Sequence, residues 1–245
     1  MSPSEKVKFI SNWIKSYVDK MPSKAQSLVI GISGGIDSSV SSTLSAMTGL
    51  KTIVLSMPIK QKENQHNLSL KHQKWLVEKF ENVEAHTINL DDLFQSFSST
   101  LIKFNNEHGY ANSRARLRMA TLYQVASANK GIVVGTGNKV EDFGVGFYTK
   151  YGDGGVDISP IADCNKSEVW ELGKELGILK EIIDAQPTDG LWDDGRTDEG
   201  QLGFKYKELE DAMINPDSPH RAEYEKIRKQ NLHKMEPIPV CKIPS

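Results

Sequence analysis

The segment from Leu28 to Ser39, LVIGISGGIDSS, holds residues able to grip a chain of phosphates. An apolar run ends at Gly31-Ile32, a Ser33-Gly34-Gly35 turn follows, and a helix begins at Ile36-Asp37-Ser38. Glycines 34 and 35 let an anion approach the backbone with no Cβ in the way. The amides of the turn and of the first helical turn then face that anion, and the helix dipole favours its charge. Ser33, Ser38 and Ser39 can add hydroxyl donors. No Lys-Ser/Thr pair follows the second glycine, so this is not a Walker A loop, whose own lysine reaches the phosphates. Asp37 is the informative residue. A carboxylate beside a phosphate site repels it unless a cation lies between them. Mg²⁺ held by one or two carboxylates plus phosphate oxygens meets that need. A Gly-Gly turn alone can be purely structural, but the whole string SGGIDSS after an apolar strand argues for an anion site.

The flanking pattern supplies the scaffold. SLVIGI (27–32), KTIVLSMP (51–58), VEAHTINL (83–90) and GIVVGT (131–136) read as strands, the first and last as short buried runs ending in glycine. Helical spacing occurs over 4–20, 38–47, 64–80, 91–105, with Asp91 as its cap, and 113–129. Strands alternating with helices predict an α/β fold, a doubly wound parallel sheet with helices on both faces. Beyond residue 136 a glycine-dense stretch (142–156) and an acidic one (189–200) read as mobile loops. Helices are expected at 166–177, ended by Gly177, near 201–214 and near 219–235, before an extended proline-rich tail. Residues 1–245 read as one domain.

Bulk properties remove several function classes. A net charge of -2 over 245 residues argues against a general nucleic-acid binder. The two cysteines, Cys164 and Cys241, form no metal-ligand spacing. No apolar run is long enough to cross a bilayer. A cytoplasmic protein with free thiols is expected. His66, His72, His86, His108 and His220 show no metal spacing and read as surface residues. Trp13, Trp75 and Trp170 fit apolar helix faces, and Trp192, in the acidic stretch, reads as a lid residue.

Several further strings narrow the choice. They are NSRARLRM (112–119), GTGNKVE (135–141), FYTKYGDGGVD (147–157), PTDGL (187–191), Asp198-Glu199 with Leu202-Gly203, and His233-Lys234. SGGIDSS resembles the pyrophosphate loop of the ATP-pyrophosphatase superfamily. The downstream strings, in order and spacing, are similar to those of NAD synthetases, notably FTKYGDGGAD. The sequence departs from the usual pattern in places: GTGNKVED stands where GTDHAAEA is more usual, and PTDGL where PTADL is.

That resemblance implies a Rossmann-like adenine nucleotide α-hydrolase fold and ATP-dependent amidation of deamido-NAD by ammonia through an adenylate. It implies ATP contacts from Gly31, Ile32, Ser33, Gly34, Gly35, Ile36, Asp37, Ser38, Thr136, Lys166 and Thr188. Mg²⁺ would lie on Asp37 and Glu141. Arg116, Lys150, Asp157, His233 and Lys234 would hold deamido-NAD. On sequence alone Lys166 reads equally as a surface lysine at a helix start. Phe147 and Tyr148 read equally as stacking or core aromatics. Arg114 and Arg118 share a helix face, with Arg116 nearly opposite at roughly 100° per residue. The resemblance further implies a homodimer; the amphipathic helices at 91–105 and 113–129 are candidates for the contact and by periodicity read equally as core helices. The motifs begin within the first few dozen residues, so no glutaminase domain and free ammonia are expected. The nearest rival is another ligase of the superfamily, such as the synthetase part of a GMP synthetase, and a nucleotide-binding module without turnover is a different class.

Overall fold

The computed structural model describes residues 1–60, 63–188, 190–192 and 196–243, with the side chains of 63–65 left out. Of the acidic stretch 189–200, Asp189 and residues 193–195 lie outside the described residues. The first helix, α1 (Pro3–Lys20), starts from a capping box in which the Ser2 hydroxyl accepts the Glu5 N–H and the Glu5 carboxylate accepts that of Ser2. Val7, Ile10, Ile14 and Val18 face inward. Trp13 and Tyr17, expected on the same apolar face, are instead exposed with Phe9 on the outer side.

Among the described residues four strands form one parallel sheet in the order β3-β2-β1-β4: β1 (Ser27–Gly31), β2 (Lys51–Ser56), β3 (Val83–Thr87) and β4 (Gly131–Val133). The chain lays down β1 to β3 in one direction, then crosses back to set β4 on the far side of β1. That reversal opens a crevice at the carboxyl ends of β1 and β4, where ligands bind in open α/β sheets. Alternation along each strand serves two layers. Leu28, Ile30, Val54 and Ile132 pack against α1, α2 (Ile36–Ala46), α3 (Glu63–Lys79) and α6 (Lys166–Leu176). Val29, Ile53, Leu55 and Val133 pack against α4 (Asp91–Thr100) and α5 (Glu107–Ala128). The doubly wound sheet with helices on both faces is therefore present. Each fully buried Leu, Val or Ile contributes about 1.5–3 kcal/mol.

The boundaries differ from expectation where local hydrogen bonds decide them. Helix α5 starts at Glu107, because the Asn106 side chain caps it by accepting the Gly109 N–H at 2.7 Å. Asp91 is not a cap. It is the first residue of α4, and its carboxylate accepts the Lys60 N–H at 2.6 Å. Helix α4 ends at Thr100 and a separate 3₁₀ turn, Ile102–Phe104, follows. The helix expected at 201–214 is two, α8 (Asp198–Leu202) and α9 (Tyr206–Ile214), broken at Gly203, whose φ of +77° ends α8 in the left-handed region. Gly177 ends α6 as expected, with φ +70°. The glycine-dense stretch is not plain loop. Lys139–Val145 forms a π-helical turn, and Thr149 to Gly155 are tied by hydrogen bonds among themselves and to Asp153. A third apolar cluster joins Val140 and Val145 of this turn to α9 and α10 (Arg221–Met235) through Tyr206, Leu209 and Tyr224. No described helix is long and apolar enough to cross a membrane.

His72, expected at the surface, is wholly buried between α2 and α3. It stacks on Trp75, and its Nε2 lies 3.0 Å from the Ser42 hydroxyl. Burial pulls its pKa from 6.5 down to about 4. Between those values the unfolded chain holds more protons than the folded one, so His72 makes stability fall as pH falls through this window. Urea unfolding should show about 2 kcal/mol less stability at pH 5 than at pH 7 from this group. His72→Phe should flatten the slope by that amount, and an unchanged slope would contradict a neutral buried imidazole.

Candidate active site

The turn after β1 is built by its own serines. Gly34 has φ +90°, a conformation that side chains rarely adopt, so the turn requires glycine there. The Ser38 and Ser39 hydroxyls both donate to the Gly35 carbonyl, at 3.0 and 2.9 Å, and the Ser33 hydroxyl accepts the Gly35 N–H. These hydroxyls, expected to face a ligand, are spent on shaping the turn. The donors left without intrahelical partners are the amides at the start of α2.

Asp37 stands in the first turn of α2. Across the crevice, Asn138 caps the π-helical turn: its Oδ1 accepts the Val140 and Glu141 N–H groups, and its Nδ2 donates to Asp37 Oδ1 at 3.3 Å. Asn138 thus holds one carboxylate and starts the segment that carries the other. Lys166, the first residue of α6, reaches both. Its Nζ lies 2.6 Å from Asp37 Oδ2 and 2.8 Å from Glu141 Oε1, with 1% of its side chain exposed. It is a core lysine, not a surface one. The Tyr206 hydroxyl donates to the same Glu141 Oε1 at 2.5 Å.

These contacts set the protonation states. Burial works against the Lys166 charge, but Asp37 and Glu141 hold its pKa above the ordinary lysine value. Burial pushes the Asp37 carboxyl up, with Glu141 adding to it and Lys166 opposing. Burial would raise Glu141 too, but Lys166, Tyr206 and Asn138 hold it below its usual value. Tyr206 is raised by burial and by Glu141 and Asp198, so its hydroxyl stays a donor.

Two carboxylates aimed at one point, already occupied by one cation, form a donor set of hard oxygens. That suits a small divalent ion sharing phosphate ligands. The cleft in front of them measures about 540 Å³, within the range of small-molecule sites. Every residue expected to contact ATP or metal lines it: Gly31, Ile32, Ser33, Gly34, Gly35, Ile36, Asp37 and Ser38 on one side, Thr136 and Glu141 beyond β4, and Lys166 and Thr188 opposite.

The sequence profile of the NAD synthase family matches residues 6–242. The chain belongs to the NAD synthase family. As a member of this family it is a nucleotide-binding ligase of NAD biosynthesis. It is 36% identical over 217 residues to the NH₃-dependent NAD⁺ synthetase of Carboxydothermus hydrogenoformans, covering 86% of this chain and 85% of that one. It is 36% identical over 249 residues to the NH₃-dependent NAD⁺ synthetase of Alkaliphilus oremlandii, covering 96% and 95%. Among solved structures it is similar to the NMN synthetase of Francisella tularensis, with TM-score 0.89 and 33% identity over 99% of this chain and 100% of that one.

The other expected site residues of this NAD synthase family member stand away from the cleft wall. The Arg116 Nε donates to the Lys150 carbonyl at 3.2 Å, the Lys150 ammonium to the His233 carbonyl at 3.1 Å, and the Lys234 ammonium to the Tyr148 carbonyl at 2.9 Å. The structure therefore brings Arg116, Lys150, His233 and Lys234 together as one chain of contacts between α5, the 147–157 segment and α10. Asp157 is placed differently. It accepts the Val133 N–H at 2.7 Å and the Tyr123 hydroxyl at 3.0 Å, extending β4. The Tyr148 hydroxyl meets the Lys234 carbonyl, while Phe147 lines the cleft and packs against the third cluster. Trp192 lies against His108 and under Arg196.

Sequence reasoning missed Arg118, Met57, Asn138, Asp142 and Tyr206. Arg118 lines the cleft and donates to the Met57 carbonyl at 3.0 Å. Its place on the face opposite Arg116 was readable. Tyr206 lies outside every quoted string and gave no signal. Asp142 carries the most informative departure. A Cβ at Gly137 would overlap the Asp142 carboxylate, which also lines the cleft. Set against the GTDHAAEA pattern of the resemblance, glycine stands at 137 in place of aspartate and aspartate at 142 in place of alanine. The Asp142 carboxylate fills the space a side chain at 137 would take. Burial, with Asp153, Glu141 and Asp37, pushes the Asp142 carboxyl well above its ordinary pKa.

A four-protein cycle tests this exchange. Gly137→Asp alone should lose about 1–3 kcal/mol through overpacking. Adding Asp142→Ala should restore most of it, giving a coupling above about 1 kcal/mol in urea unfolding. Additive effects would show that the two positions do not share one space.

Proposed function

We propose that this protein uses ATP to amidate the nicotinate carboxylate of deamido-NAD with ammonia, forming NAD, AMP and pyrophosphate, the last step of NAD synthesis. The observation that carries the nucleotide chemistry is the pair Asp37 and Glu141, aimed at a single point before the glycine turn. A carboxylate is a poor acyl donor. Its oxygen attacks the α-phosphorus, the bond to pyrophosphate breaks, and the acyl adenylate forms. Ammonia then attacks the acyl carbon, AMP departs with one carboxylate oxygen, and a proton is released.

The residues act by position and charge, with no covalent protein nucleophile. The turn amides and the start of α2 hold the leaving pyrophosphate. Asp37 and Glu141 would hold Mg²⁺, which neutralises phosphate charge when bound. Lys166, with the hydroxyls of Thr136 and Thr188, supplies the remaining donors. Met57, Met119 and Leu122 give an apolar wall suited to a flat base. Arg116, Lys150, Asp157, His233 and Lys234 hold deamido-NAD in this reading. The 142–156 segment borders the cleft through Asp142, Phe147, Asp153 and Val156, and in this reading it keeps water from the adenylate.

We read residues 1–245 as one synthetase domain in the cytoplasm, taking free ammonia or ammonia from a separate amidase. We also propose a homodimer. Exposed Leu93 on α4, Ile102 and Phe104 after it, and Tyr123 on α5 support the α4–α5 side as the contact.

One observation favours a second acceptor. The Francisella structure that matches end to end is named an NMN synthetase. The corresponding carboxylate is nicotinate mononucleotide, which lacks the adenylate half of deamido-NAD but presents the same reacting group. Assays with each acceptor, Mg-ATP and either ammonium or glutamine decide between them. The first reading expects NAD from deamido-NAD with ammonium at a kcat/KM at least about tenfold above that for the mononucleotide, a difference of about 1.4 kcal/mol. The opposite ratio would make the mononucleotide the substrate, and AMP formation with neither would end both readings.

Asp37→Ala should lower AMP release by at least about 10³-fold, since it removes half of the metal site and leaves Lys166 poorly compensated. Normal turnover would remove Asp37 from the reaction.

A further inference from the structure

The Tyr206 hydroxyl is buried at the back of the cleft, and no residue of the reading above accounts for it. Three segments meet on one oxygen. Glu141 Oε1 receives the Lys166 ammonium at 2.8 Å and the Tyr206 hydroxyl at 2.5 Å. Both donors fall on Oε1, and Glu141 lines the cleft. Two donors on one oxygen, with Asn138 beside the carboxylate, fix its plane and its aim into the cleft.

Tyr206 is itself held firmly. It keeps 2% of its surface exposed. Its ring packs edge-on against Trp170, at 5.9 Å and 86°, and lies beneath the Lys166 ammonium at 4.8 Å. Its N–H donates to the Glu199 carboxylate at 3.1 Å. The hydroxyl also lies 3.3 Å from Asp198 Oδ2, but it has one proton, and the shorter contact is to Glu141.

Lys166 occupies the point between Asp37 and Glu141 that a metal ion would need. It must withdraw toward the phosphates for the ion to enter, and Glu141 then loses one of its two Oε1 donors. We propose that Tyr206 is a positioning residue for the metal-binding carboxylate: its hydroxyl keeps Glu141 aimed into the cleft when Lys166 moves from the carboxylates to the nucleotide. This rests on the reading of Asp37 and Glu141 as the magnesium ligands.

Tyr206→Phe keeps the ring and its packing on Trp170 and removes only the hydroxyl. Binding of an ATP analogue with a methylene between the α and β phosphates, titrated with magnesium, should show a half-saturating magnesium concentration at least about tenfold higher than wild type. In turnover the magnesium requirement should rise by the same factor, with kcat at saturating magnesium within about threefold and KM for the nicotinate substrate unchanged. A purely structural tyrosine would lower the melting temperature and leave the magnesium titration in place, which would overturn the proposal. If Tyr206→Phe does not fold, Trp170→Leu decides. It loosens the tyrosine ring without touching Glu141 and should shift the titration in the same direction, whereas no shift would overturn the proposal. Wild-type binding of the analogue that ignores magnesium would overturn both the metal reading and this role. Magnesium-dependent binding with an unshifted variant would overturn only this role.

Discussion

One buried ammonium organises the reactive end of this molecule. Lys166 is almost wholly out of water, a position an unpaired lysine could not keep in its charged form. It is charged because Asp37 and Glu141 flank it. Removing one partner of such a group typically costs about 3–5 kcal/mol, because a charge is left buried without compensation. The start of α6, the first turn of α2 and the π-helical turn must therefore meet at one place. In a π-helical turn the ladder admits an extra residue. Both Glu141 and its neighbour Asp142 line the cleft.

This arrangement needs the sheet order. With β4 beside β1, the glycine turn and the Gly135-Thr136-Gly137 segment leave adjacent strand ends and face each other across the crevice. Placing β4 beyond β3 would separate Asp37 from Glu141 by the width of the intervening strands, about 4.8 Å each. Asn138, fully buried, ties the two sides directly.

The legible parts of the sequence were those set by local chemistry. The apolar runs ending in glycine, the alternation of strand and helix, and the string SGGIDSS led to the sheet, its two helical layers and the glycine turn between β1 and α2. Family strings led to Glu141, Thr136 and Thr188, and the resemblance as a whole, with no quoted string, to Lys166; all four line the cleft. What could not be read depended on contacts far apart in the chain. His72 looks like a surface histidine until α2 and α3 close over it. Trp13 and Tyr17 share the helical period of a buried face yet fall outside it. Tyr206 has no motif around it, and its contact with Glu141 emerges only when α9 packs beside the π-helical turn. Gly137 and Asp142 look like two unrelated departures until the carboxylate of one is seen in the place of the other's missing side chain.

The adenylate route is tested most directly by following the oxygens of the carboxylate. Deamido-NAD labelled with ¹⁸O at both nicotinate oxygens is turned over with Mg-ATP and ammonium, and the products are weighed by mass spectrometry. Attack of the carboxylate on the α-phosphorus predicts one ¹⁸O in AMP, one in the NAD amide and none in pyrophosphate. Unlabelled AMP, or label in a phosphate released from the β,γ end, would contradict it.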